Sequence, residues 1–225
     1  MFIPYEIHPA QYNMDFDKKL LDLCEKEHIN LALRFYGWQS PSLTLGRNQK
    51  NLGIDENFCK QNNIPIVRRI TGGRALLHDK ELTYTIICNK KILKNGTNII
   101  ADYKQISSML IKALNLSGIQ ASYGEKTKSN IGAGYCMNLS TICDIIVDNK
   151  KFIGSAQYRT DTHILQHGSI PYLFDKNLIN KIFQGQANFS QITCINEITT
   201  SFNSEKFMKQ LKLIVEEELN AGKNL

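Results

Sequence analysis

The stretch RRITGGRALLHD, residues 68–79, gathers Arg68, Arg69, Thr71, Gly72, Gly73, Arg74 and His78 directly after the apolar run PIV. Paired glycines let a ligand approach the backbone closely, exposed N–H groups can hold oxygens, and three arginines supply positive charge. The stretch has neither the G-x-x-x-x-G-K-[ST] of a nucleotide phosphate loop nor the G-x-G-x-x-G that opens a dinucleotide-binding helix. Spacing alone favours a plainer account, a tight turn between strands with solvated arginines at its rim and a structural histidine at 78.

The elements around this motif follow from periodicity. MDFDKKLLDLCEKE places Phe16, Leu20, Leu23 and Cys24 on one face of an amphipathic helix. LALRFYGW and QSPSLTLG read as two strands, IDENFCKQNN as a short helix capped by Asp55, and IPIVRR as a strand. ELTYTIIC alternates like a half-buried strand, so the glycine motif joins two strands. DYKQISSMLIKALNLSG is a helix that stops at Gly118. TICDIIV, KFIGSAQYR and HILQHGSIPY read as an antiparallel meander, with Asp148 and Asn149 turning the first pair. DKNLINKIF and SEKFMKQLKLIVEEEL read as closing helices, the charged end of the latter a solvated face. The mixture predicts an α+β fold with a largely antiparallel sheet and flanking helices.

Composition narrows the function. A chain of 225 residues, 42% of them hydrophobic, can bury a substantial core in one domain. MFIPYEIHPA lacks the basic start and apolar run of a secretory signal, and no apolar run reaches the ~18 residues of a membrane span, so the expected location is cytoplasmic with no membrane contact. Six cysteines carry no C-x-x-C and no adjacent histidine cluster, which signals neither zinc nor a disulfide framework. A net charge of +6 favours anionic partners without specifying their kind.

The sequence RRITGGRALLHDKELTYT closely resembles the signature of the lipoate-protein ligase and octanoyltransferase superfamily. NMDFDKKLL, LRFYGWQSPSLTLGRNQ, DIIVDNKKFIGSAQYR and LQHGSI follow in that family's order, so the resemblance covers roughly residues 10–185. It implies the biotin/lipoate ligase-like fold, with a mixed sheet around a narrow acyl pocket lined by the glycine turn. It also implies a single catalytic domain over residues 1–225, with a C-terminal helix at about 203–220 and no accessory ligase domain.

Within that family, ATP-dependent ligases adenylate free lipoate, whereas transferases move an octanoyl or lipoyl group through a cysteine thioester. Arg74 stands where the ligase turn carries a third glycine, ELTYT resembles the transferase strand, and Cys143 stands where ligases commonly have Asn. The resemblance therefore implies an octanoyltransferase, with ATP-dependent lipoate ligation as the alternative and a non-enzymatic basic binding module as a third class. In CMNLSTICD it puts Cys136 at the nucleophile position, and in NKKFIGSAQ it puts Lys151 at the family's lysine. An ammonium near a thiol raises the reactive thiolate fraction. Cys143, in an apolar alternating run, reads instead as a strand residue facing the interior or the pocket wall. Arg69, Thr71, Gly72, Gly73, Arg74, His78, Gly154, Ser155, Ala156 and His167 are expected to bind substrate. The implied donor is octanoyl-acyl carrier protein, and the acceptor is a lipoyl domain or the glycine-cleavage H protein. No nucleic acid and no cofactor are expected, ATP and Mg²⁺ entering only under the ligase alternative.

Overall fold

The computed structural model describes residues 1–50, 53–124, 135–138 and 143–220. Its main sheet contains β1 (Phe2–His8), β2 (Leu31–Trp38), β6 (Glu81–Asn89), β7 (Ser122–Tyr123), β8 (Ile145–Val147), β9 (Lys150–Arg159) and β10 (His163–Pro171). The spatial order is β1-β2-β6-β10-β9-β8-β7. Among the described strands of this sheet only β1 pairs in parallel, along β2, which makes the sheet mixed. A smaller sheet, ordered β4-β3-β5, is built from β3 (Ser42–Leu45), β4 (Ile66–Arg68) and β5 (Leu76–His78).

Strand alternation divides the main sheet into two faces. Leu33 and Phe35 of β2, with Leu82, Tyr84, Ile86 and Cys88 of β6, pack in one core with α3 (Ile99–Leu116) and α6 (Ser204–Asn220). Ala32 and Ile87 point the other way, into a second cluster with Leu20, Leu21 and Cys24 of α1 (Ala10–Lys26). The β6 strand is therefore buried on both faces rather than half-buried, because helices cover the sheet from both sides. A third cluster joins the small sheet to α2 (Glu56–Gln61) and α4 (Lys176–Ile182). A single turn, α5 (Ile195–Ile198), precedes α6.

Local chemistry explains the punctuation. Asp55 and Asp175 accept the N–H groups of Phe58 and Leu178 at the starts of α2 and α4, and Asn98 accepts those of Ile100 and Ala101 at the start of α3. Such caps contribute about 1 kcal/mol each. Asp148 and Asn149 both adopt positive φ, 48° and 59°, which lets a two-residue turn join β8 to β9. On α1 the expected face needs correction. Leu23 is exposed, while Asn13 and Asp17 are buried beside Leu20, Leu21 and Cys24. A hydropathy pattern does not register a helix face that is polar because it meets buried partners.

Candidate active site

The glycine motif turns the chain between β4 and β5. Gly73 has φ 97°, a conformation that favours glycine, and a Cβ on Gly46 would run into the Gly73 carbonyl. Two of the three motif arginines build this turn. Arg68 Nη1 donates to the carbonyls of Gly46, Arg47 and Gln49 at 2.6, 3.3 and 2.9 Å. Arg69 is buried and makes five side-chain hydrogen bonds, to Thr71 Oγ1, to Thr44 O and Oγ1, and to the carbonyls of Gly72 and Arg74. Arg68 stays exposed at the rim while bracing the turn, and the buried Arg69 guanidinium is largely committed to the fold.

Between the turn and the main sheet lies a pocket with about 460 Å³ of empty space, its open mouth included. Met14, Tyr36, Trp38 and Leu76 supply apolar wall, and Gly154, Ala156 and Gly168 keep the β9–β10 side low. Of the residues expected from sequence, Arg69, Gly73, His78, Cys136, Gly154, Ser155, Ala156 and His167 line this pocket. Thr71, Gly72, Arg74 and Lys151 are not among the lining residues; Thr71 and Lys151 are buried next to residues that are.

Cys136 begins a short 3-10 turn, Cys136–Asn138, and is half-buried; its N–H donates to Ala75 O at 2.8 Å. Lys151 Nζ sits 3.1 Å from Asp144 Oδ2, each side chain 4% exposed, and donates to Cys136 O at 3.4 Å. Gly154 makes room for this lysine, since a Cβ there would lie 3.1 Å from Lys151 Cε and 3.4 Å from Nζ. The neighbouring Lys150 is in solvent, as alternation along a strand requires. Cys143 is a half-buried turn residue ahead of β8, which starts only at Ile145, so the strand position expected for it is corrected. Burial pushes the Cys143 thiol up, opposed in part by Lys104.

Beneath the pocket runs a buried polar network that sequence reasoning missed. Asp17 receives Arg34 Nη1 at 2.7 Å, the Tyr36 hydroxyl at 3.0 Å, the Thr85 hydroxyl at 2.8 Å and faces His167 Nδ1 at 3.2 Å. Burial alone would raise the Asp17 pKa, but the His167 and Arg34 contacts outweigh it and hold the carboxyl below its ordinary value. Burial holds the His167 imidazole below its ordinary value, against the pull of Asp17. Glu81 accepts from Trp38 Nε1, Thr83 Oγ1 and Ser169 Oγ and faces His78 Nδ1 at 2.8 Å. His78 also stacks on Trp38, with ring centroids 4.0 Å apart. The available signal was Arg34, a charge inside the apolar strand LALRFYGW, because a buried charge requires a partner.

An apolar slot with a thiol on its wall and an ammonium just behind it suits a straight acyl chain held by its carbonyl end, and the class so defined is an acyl-transfer domain. The fold matches a lipoate-protein ligase A solved with bound ATP, with a TM-score of 0.74 at 19% identity, over 98% of this chain and 86% of that one. It matches a putative lipoate protein ligase from T. acidophilum with bound lipoic acid at TM-score 0.73 and 19% identity, over 98% of this chain and 86% of that one. At these identities the likeness concerns the fold. Residues 9–215 match the lipoyl protein ligase A/B catalytic domain, so the chain belongs to that family. Its curated relatives include the octanoyltransferase LipM of Clostridioides difficile, 41% identical over 79% of this chain and 68% of that protein. Those of Oceanobacillus iheyensis and Bacillus cereus are 36% and 32% identical, over 80% and 93% of this chain and 66% and 82% of theirs. The chain thus spans about two thirds of the length of the first two of these relatives. Similarity lies with the octanoyltransferase branch, and the matched region reaches through α6 nearly to its end, beyond the span seen from motifs.

Proposed function

We propose that this chain is an octanoyltransferase of protein lipoylation, with Cys136 as nucleophile and Lys151 as the positioned cation. The Cys136 thiolate attacks the carbonyl of octanoyl-acyl carrier protein. The thioester C–S bond breaks, and the phosphopantetheine sulfur leaves and takes a proton, with the octanoyl group now on Cys136. The ε-amine of a lysine on a lipoyl domain or the glycine-cleavage H protein then attacks that thioester. An amide forms, and the amine proton passes to the departing Cys136 sulfur or to solvent. Lys151 stabilises the oxyanion in both steps, backbone N–H groups assisting. A thioester carries its own activation, so this chemistry uses neither ATP nor Mg²⁺. Among the described residues no helix is long and apolar enough to cross a membrane. We take the catalytic unit to be one domain, with the +6 charge drawing acidic carriers toward it.

The observation that carries this reading is the Asp144–Lys151 pair, whose ammonium contacts the Cys136 backbone behind a glycine of the acyl pocket. Intact-mass spectrometry tests it. Incubation with octanoyl-acyl carrier protein and no ATP is expected to add one octanoyl group to the chain. Cys136→Ser should abolish the gain, and Cys143→Ser should leave most of it. Loss confined to Cys143→Ser would move the nucleophile there. Acceptor modification from free octanoate and ATP, with pyrophosphate release, would establish ligation instead.

A further inference from the structure

Arg69 joins two hydrogen-bond relays that end on two buried carboxylates. In the first, Arg69 Nε donates to Thr71 Oγ1 at 3.1 Å, Thr71 Oγ1 lies 2.7 Å from His167 Nε2, and His167 Nδ1 lies 3.2 Å from Asp17 Oδ2. In the second, Arg69 Nη1 donates to Thr44 Oγ1 at 3.0 Å, Thr44 Oγ1 lies 2.8 Å from His78 Nε2, and His78 Nδ1 lies 2.8 Å from Glu81 Oε1. Every member is buried, and both threonines are fully so.

With each imidazole neutral, the two ends fix the direction of every proton between them. A guanidinium only donates, so each threonine oxygen accepts from Arg69. An ionised carboxylate only accepts, so each histidine donates from Nδ1. Both carboxylates are surrounded as ionised acceptors are: Asp17 by Arg34, Tyr36 and Thr85, and Glu81 by Trp38, Thr83 and Ser169. One contact remains in each relay, a threonine hydroxyl against Nε2. A neutral imidazole offers a lone pair there, and the threonine proton goes to it.

The third arm of Arg69 reaches the nucleophile. Arg69 Nη2 donates to Gly72 O and to Arg74 O, each at 2.8 Å. The next residue, Ala75, accepts the Cys136 N–H at 2.8 Å and bridges to Tyr135.

We propose that Arg69 is the positioning residue of the acyl-transfer site. It ties the glycine turn to the sheet, sets both pocket histidines as Nδ1–H tautomers, and through residues 74 and 75 fixes the backbone that carries Cys136. Only this last effect rests on Cys136 as nucleophile. The charged and titratable groups facing the two imidazoles are Asp17, Arg34, Arg69, Glu81 and each other. Protonation at His167 Nε2 would leave the Thr71 proton without its acceptor, so acid works against that relay.

The test combines imidazole ¹⁵N NMR with kinetics and thermal unfolding, on the wild-type chain, Thr71→Ser, Thr71→Val and Arg69→Lys. In the wild type both His78 and His167 are expected as neutral Nδ1–H tautomers; an Nε2–H tautomer at either overturns the proposal. Thr71→Ser should retain the His167 signal. Thr71→Val, which keeps the side-chain shape without the hydroxyl, should shift the His167 Nε2 resonance. Arg69→Lys cannot serve both relays and two carbonyls at once, and its kcat should fall about 10²-fold, the cost of ~1 Å of misplacement, with KM within a few-fold. A rate loss that disappears when Arg69→Lys is assayed far below its unfolding midpoint is a stability effect and also overturns it. The tautomer readout does not involve Cys136, so a different nucleophile would leave it intact, whereas a wrong hub would show even with the acyl group on Cys136.

Discussion

Removal of Lys151 separates its chemical role from its structural one only if Asp144 is treated with it. The two side chains are 3.1 Å apart and each 4% exposed, so Lys151→Ala takes the paired cation away from a buried carboxylate. Breaking a buried pair in this way costs about 3–5 kcal/mol, against a total stability of about 5–15 kcal/mol for a typical domain. The single variant therefore loses stability and activity together and says little about chemistry. The double variant Lys151→Met/Asp144→Asn leaves neither charge behind and is expected to recover most of the stability, since replacing a whole buried pair is often near neutral. Its rate should not recover. One positioned donor at a developing oxyanion is worth ~10²-fold or more.

Urea unfolding measures the first quantity, and rapid-quench mass spectrometry of the acyl-enzyme measures the second. The expected pattern is a low unfolding midpoint for Lys151→Ala, a restored one for the double variant, and slow acylation in both. Exposed Lys150→Ala serves as the control and should stay within a few-fold of wild type. A double variant that acylates within a few-fold of wild type would refute the reasoning, leaving the pair as scaffold.

Two further predictions concern the wall and the network. Gly154→Ala puts a Cβ 3.1 Å from Lys151 Cε, which must give by a few tenths of an ångström and draw the ammonium with it; acylation should slow while the unfolding midpoint moves little, checked by the same two assays. Stability should fall on acidification in two stages, followed by urea unfolding. The depressed pKa of His167 means the unfolded chain binds its proton first, so stability drops as pH falls through ~6.5, and the depressed carboxyls of Asp17 and Glu81 add a second loss below pH ~4. His167→Gln should remove the first stage and, by taking a partner from Asp17, shrink the second.

The parts of the fold legible in the sequence were those where one face meets water or a turn has its own chemistry. The helices α3 and α6 and the Asp148–Asn149 hairpin follow directly from period and turn residues. The β1 strand did not, because FIPYEIH lies at a sheet edge with most of its side chains exposed and gives no alternating burial to detect. That Lys150 and Lys151 face opposite ways, one to solvent and one inward, was legible from strand alternation. The roles of Asp17, Glu81 and Thr44 were not. In sequence each is a lone polar residue of the kind that normally faces solvent, and only the folded chain brings them together across α1, β3 and β6.

That long-range polar assembly is also what lets an apolar pocket exist beside a charged turn. An acyl slot needs walls that stay dry and do not collapse, while the glycine turn on its rim is the most permissive backbone in the site. Bonding the turn to neighbouring apolar side chains would hold it only loosely, since apolar contacts have no direction. Arg69 instead holds three carbonyls and two hydroxyls in fixed geometry, and Asp17 and Glu81 anchor the far ends on helix and sheet. A buried guanidinium is costly to desolvate and is retained only where its donors are satisfied. Here all three of its nitrogens are, so the cost of burial is offset by a rigid rim around the acyl chain, and the charge of Arg69 is explained by architecture before any ligand binds.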